Sequence, residues 1–162
     1  NGGRREDVYQ GAANGVFVSP AGFYNVLRRL ADGTYVQRER DGTVYRYGRS
    51  GYLTSITDRT GQNTMSFLRN SQGNIVEIID TQGRAYRLRY TTVGGNQFIE
   101  SLTDFTGRRL EYSYNVQFDL VSARSPIVTG TPNGNDFPRG KTTRYTYSAQ
   151  QADNRRNHNL LI

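Results

Sequence analysis

"GYLTSITDRTGQ" (51–62) returns as "GNIVEIIDTQGR" (73–84) and, more loosely, as "NQFIESLTDFTGR" (96–108). The shared Asp-x-x-Gly word puts Asp58, Asp80 and Asp104 in one register, each closed by a glycine: Gly61, Gly83 and Gly107. Successive words lie 22 and then 24 residues apart, too short for a helical-hairpin repeat and right for two strands with two turns. The repeating unit is expected to be a β-hairpin.

Between the words runs a strand of period two. Tyr45 and Tyr47 flank Arg46, and Tyr86, Leu88 and Tyr90 alternate with Arg87 and Arg89. Met65 with Phe67, Leu110 with Tyr112 and Tyr114, and Tyr145 with Tyr147 continue the pattern. These strands should carry an aromatic face, with Arg46, Arg87, Arg89 and Arg144 on the other. The second strand of each unit is less regular: Leu53 and Ile56, Val76 and Ile79, or Ile99 and Leu102 stand three apart. Either a bulge shifts the register or both faces of the sheet are partly covered; the second is preferred here.

Glycine marks the turns, in "RSG" (49–51), "RTG" (59–61), "NSQG" (70–73), "TQG" (81–83), "VGGN" (93–96) and "FTG" (105–107). Two Asp-Gly pairs upstream, at Asp32 and Asp41, start the hairpins by about residue 16, after a ragged lead over 1–15. "FYNVLRRLAD" (23–32) is the one helix candidate, and it fits a strand and turn equally well. "SPIVTGTPNGNDFPRG" (125–140) holds three of the four prolines and reads as an inserted surface loop. "AQQADNRRNHN" (149–159) reads as a second insertion.

The bulk properties agree with an all-β chain of tandem antiparallel β-hairpins. Of 162 residues only 35% are hydrophobic, while tyrosine numbers 12 and glycine 18, so the core is expected to be thin. The net charge of +7 comes almost wholly from arginines spread along the chain. There is no cysteine, hence no disulfide framework or thiolate metal site. No run approaches the roughly 20 apolar residues of a spanning helix. The chain opens on Asn1, not Met, and reads as a piece of a longer protein.

The unit Gly-x-x-x-Tyr-x-Tyr followed by Gly-x-Leu-x-x-Ile-x-Asp-x-x-Gly, as in "GTVYRYGRSGYLTSITDRTG" (42–61), resembles the YD repeat. Such repeats occur in bacterial Rhs proteins, in the shell subunits of insecticidal toxin complexes and in animal teneurins. The match covers residues 16–162, and "NHNLLI" (157–162) looks like another word cut before its Asp. Departures are Phe67 in place of a tyrosine and the longer "TTVGGNQF". The resemblance implies one extended, twisted sheet, an open segment of a spiral shell that encloses a C-terminal toxin or other polypeptide cargo. It implies a bacterial secreted or cell-surface location through signals outside this stretch, and no enzyme, because the toxin and self-cleaving modules of such proteins lie downstream.

Stacked hairpins touch only their neighbours, so each must present the same side chains at the same height. Tyr45, Tyr47, Phe67, Tyr86, Tyr90, Tyr112, Tyr114, Tyr145 and Tyr147 are therefore the structural aromatics, expected to stack ring on ring from hairpin to hairpin. Asp58, Asp80 and Asp104 are expected to accept from backbone N–H groups two residues on. As a glycosidase pair they would sit about 9–10 Å apart with matched environments, where catalysis needs closer or differentiated carboxylates. No catalytic residue, metal ligand or cofactor is assigned. No Asp-x-Asp-x-Asp spacing suggests calcium, and the lone His158 reads as solvated surface. The expected partners are the rest of the repeat array and its cargo, with self-association through open edges. The rival function is a carbohydrate-binding β-repeat module of a cell-surface or secreted protein. Nucleic acid is not expected, because arginines and tyrosines on opposite faces cannot share one groove.

Overall fold

The computed structural model describes residues 8–11 and 13–161. The remainder of the expected lead over 1–15, and Ile162 of the cut word, lie outside the described residues. The chain divides into two compact units, one ending at Arg84 and the other beginning at Ala85. Both are all-β, and each lays its strands side by side as consecutive antiparallel hairpins.

The first unit runs through β1 (Gln10–Gly11), β2 (Val16–Val18), β3 (Val26–Arg29), β4 (Tyr35–Arg38), β5 (Val44–Tyr47), β6 (Leu53–Thr57), β7 (Thr64–Arg69) and β8 (Ile75–Ile79). Each strand pairs antiparallel with the next. Pairing starts earlier than residue 16, with Gln10 opposite Val18. Of the helix candidate over 23–32, residues 26–29 form β3, and Gly33 N donates to Leu30 O in the turn that follows.

The second unit contains β9 (Ala85–Val93), β10 (Asn96–Thr103), β11 (Arg109–Tyr114), β12 (Leu120–Arg124) and β13 (Thr142–Arg144), again paired in sequence order. A short ladder joins β14 (Thr146–Tyr147) to β15 (Leu160–Leu161). No helix among the described residues is long and apolar enough to cross a membrane.

The second strands are bulged, which corrects the preference for two-sided cover. Tyr47 faces Leu53 and Arg46 faces Ser55, so Thr54 is left over; Val76, Glu100 and Val121 are left over in the same way. The extra residue turns Leu53 and Ile56 to the same face, as partners of Tyr47 and Tyr45. In the next unit the facing pair is Ile75 with Ile78, opposite Arg69 and Phe67, and not Val76 with Ile79.

No apolar side chain among the described residues is fully buried; the only buried residues are Asn25 and Ser101. Stability must therefore come from ladder hydrogen bonds and from side chains laid over their cross-strand neighbours, each pair contributing roughly 0.2–1 kcal/mol.

Candidate functional site: two faces and two rims

Strand alternation gives each unit an aromatic-aliphatic face, a polar face, and a rim of turns at either end. Ring-on-ring contact is less common than the tyrosine pattern suggests. Tyr45 faces Ile56, Tyr47 faces both Leu53 and Tyr35, and Phe67 faces Ile78. Tyr90 faces Ile99, Tyr112 faces Ala123 and Tyr114 faces Leu120. Because first and second strands alternate across the sheet, most aromatic residues meet an aliphatic one. Ring contacts occur where second-strand or turn aromatics intervene: Tyr86 with Phe105 at 5.9 Å and Tyr114 with Phe98 at 4.8 Å. All of the first-strand rings named from the sequence are partly exposed.

A hydrogen-bonded line crosses this face in the first unit. Tyr47 Oη donates to Gln37 Oε1 at 3.1 Å, and Gln37 Nε2 donates to Glu39 Oε1 at 2.6 Å. Asn25 Nδ2 donates to the same carboxylate oxygen at 3.1 Å, and Asn25 Oδ1 accepts from Tyr9 Oη at 2.9 Å. Burial, followed by the nearby Tyr45, Tyr9 and Glu39 groups, holds the Tyr47 phenol above its ordinary pKa.

On the polar face Arg46 stands between Val36 and Ser55, Arg87 opposite Thr103, Arg89 opposite Ser101 and Arg144 opposite Ser122. Glu111 binds Arg124 across the β11–β12 ladder and lies 3.4 Å from Arg109. Ser101 is completely enclosed, and its Oγ has no hydrogen-bond partner.

One device recurs along the rims. Asp58 Oδ1 accepts Thr60 N at 3.1 Å, Asp80 Oδ1 accepts Gln82 N at 2.9 Å, and Asp104 Oδ1 accepts Thr106 N at 2.9 Å. Gly61, Gly83 and Gly107 each donate N–H to the carbonyl of that aspartate, with φ between 76° and 86°. Side-chain hydrogen bonds from Asn63 and then Thr60 lower Asp58 to about 2; Thr106 leads the same effect at Asp104, also about 2. At Asp80 desolvation opposes a net lowering produced chiefly by Arg84. A carboxylate so engaged stays ionised at neutral pH and has no proton to give as a general acid. Asn70 and Asn115 perform the same turn, each on the opposite rim of its own unit, accepting from Gln72 N and Gln117 N. Nothing in the Asp-x-x-Gly spacing disclosed that second set, although "NSQG" held its signal.

Phe118 takes the position of the turn glycine after Asn115, at φ 72°. Its ring stacks on Phe98 at 5.9 Å and 12°, over the backbone of Gly94. In the first unit Arg69 caps the turn after Asn70: its Nη1 donates to Gly73 O at 2.7 Å and its guanidinium covers the Tyr52 ring at 4.8 Å.

The two insertions enter at rim turns and leave in register. Ser125 N bonds Lys141 O at 2.8 Å, as Asp58 N bonds Asn63 O; Ser148 N bonds Asn159 O at 2.9 Å, as Gly48 N bonds Tyr52 O. The 125–140 loop closes on a Val128–Phe137 bridge, with Asp136 accepting Gly130 N and Thr131 N at 2.8 Å each. His158 is exposed, yet it is not merely solvated: its Nδ1 lies 2.9 and 3.0 Å from the Asp119 oxygens. Among the described residues, no group of three or more His, Asp or Glu side chains is placed to hold a metal ion.

Neither a protein-family model nor a curated protein sequence matches the chain.

Proposed function

We propose that this chain is a wall segment of an Rhs-type YD-repeat shell, continued by further repeats in a longer bacterial secreted or cell-surface protein, and that the shell encloses a C-terminal toxin or other polypeptide cargo. The observation that carries this reading is that the hairpins bury no apolar side chain among the described residues, while their aromatic-aliphatic face stays half covered. A self-sufficient domain of this length encloses a core. A wall one sheet thick needs only lateral contacts, and the apolar face is free to be covered by whatever lies inside.

The repeated turns support the same reading. The same Asp- or Asn-capped turn recurs on both rims, so hairpins can be added without changing the chemistry of their neighbours. The role is enclosure, and the tyrosines and turn glycines serve it by shape.

The test uses the complete natural protein that contains this stretch. Electron microscopy should show a hollow particle, and limited proteolysis should spare an internal segment that becomes accessible once the shell is unfolded. A filled or extended particle, with every segment equally accessible from the start, would overturn the proposal.

A further inference from the structure

The 149–159 insertion walls a cavity of about 510 Å³ in the second unit, within the size range of small-molecule sites. Its position follows from the repeat. The ladder tyrosines Tyr145 and Tyr147 end a first strand, but the turn that should follow has been replaced by the insertion, which folds back and seats His158 on Asp119.

The lining is chemically selective. It contains no lysine or arginine, so a phosphate or polyanion would find no fixed cation. Its only aliphatic side chains are those of Val121 and Ala149, too few for a lipid chain. Tyr145 and Tyr147 line it together with Asn115, Gln150, Asp119 and His158.

Part of that polar set is already held in place. Asn115 Nδ2 donates to Asp119 Oδ2 at 3.2 Å, and both Asp119 oxygens are engaged by His158 Nδ1. If Nδ1 carries the proton to Asp119, Nε2 is left as an acceptor. Tyr147 Oη is committed to Leu120 O at 3.0 Å, which fixes its ring. Among the described residues, the Tyr145 hydroxyl and the Gln150 amide have no hydrogen-bond partner. Gln150 and His158 also adopt left-handed backbone conformations, φ 58° and 62°, a strain that recurs at ligand clamps.

We propose that this cavity binds a neutral saccharide of about two sugar rings. A pyranose presents an apolar C–H face to a phenol ring, and its edge hydroxyls both donate and accept, which suits an amide, an imidazole and a carboxylate held side by side. The site is built by the second unit alone and does not depend on the shell reading.

Isothermal titration calorimetry of the chain with maltohexaose, cellohexaose, xylohexaose and chitotetraose, with a polygalacturonate tetramer as anionic comparison, tests it. At least one neutral probe should bind with a Kd below about 1 mM, and the anionic one at least about tenfold more weakly. Gln150→Ala, an exposed position that cannot disturb the ladder, and Tyr145→Ala should each weaken binding about fivefold or more, whereas Tyr24→Ala, an exposed tyrosine in the first unit, should not. Silence of all four neutral probes to about 10 mM, tighter binding of the anionic one, or affinity unchanged in Gln150→Ala would overturn the proposal.

Discussion

Leu53 and Ile56, three residues apart, stand on the same face of the sheet because Thr54 bulges out of the ladder between them. The same step recurs at Val76, Glu100 and Val121, which makes the bulge a part of the repeat and not a local defect. A bulge also sharpens the right-handed twist of its own strand pair, so each of the four pairs that carries one should be the more strongly twisted.

Deleting Thr54 should therefore be far worse than trimming it. Without the residue, Leu53 moves to the polar face and leaves Tyr47 without its aliphatic partner. Thr54→Ala loses only an exposed hydroxyl that donates to Arg46 O at 3.1 Å, a change of about 0.5 kcal/mol. Thermal unfolding followed by circular dichroism would compare them, and equal midpoints would refute the register argument.

Acid should loosen the rims in a defined window. Asp58 and Asp104 lie at about 2 in the fold, against an ordinary 3.8. A carboxyl whose folded pKa is depressed contributes its stabilisation above the unfolded value and loses it as pH falls through the folded one. The unfolding midpoint should therefore drop between about pH 4 and 2, and the drop should shrink in the Asp58→Asn, Asp104→Asn double variant. Because Asn70 and Asn115 already form such turns, asparagine should keep more of the neutral-pH stability than alanine does. A pH profile unchanged by the double substitution would contradict this.

Phe118 sets backbone strain against ring packing. Phe118→Ala removes the ring but keeps the strain of a left-handed backbone at φ 72°, whereas Phe118→Gly removes both the ring and that strain, so the glycine variant should be the more stable by about 1 kcal/mol in denaturant titrations. In the parent chain Gly94→Ala should destabilise, since its Cβ would lie 2.7 Å from Phe118 Cε1. In the Phe118→Gly background the steric part of that loss should disappear. The reverse order of the alanine and glycine variants would show that the strain is not borne there.

Ser101 offers a substitution that gains. Its enclosed hydroxyl has no partner, so Ser101→Ala removes a desolvated polar group and should leave stability unchanged or raise it by up to about 1 kcal/mol. A clear loss would mean that the hydroxyl is bonded in solution.

The amino-acid sequence by itself determined the all-β class, the hairpin unit and the turn chemistry. Those depend on local features: a period of two in "VYRY", an aspartate two residues ahead of the N–H it accepts, and a glycine at positive φ. Tertiary structure decided the cross-strand pairs, because register joins residues that local periodicity cannot connect. It chose bulges over two-sided cover, set aliphatic residues opposite most of the tyrosines, and put Phe118 where the pattern calls for glycine. It also brought Asp119 and His158 together across 39 residues, a contact that exists only because an insertion must return to the register it left.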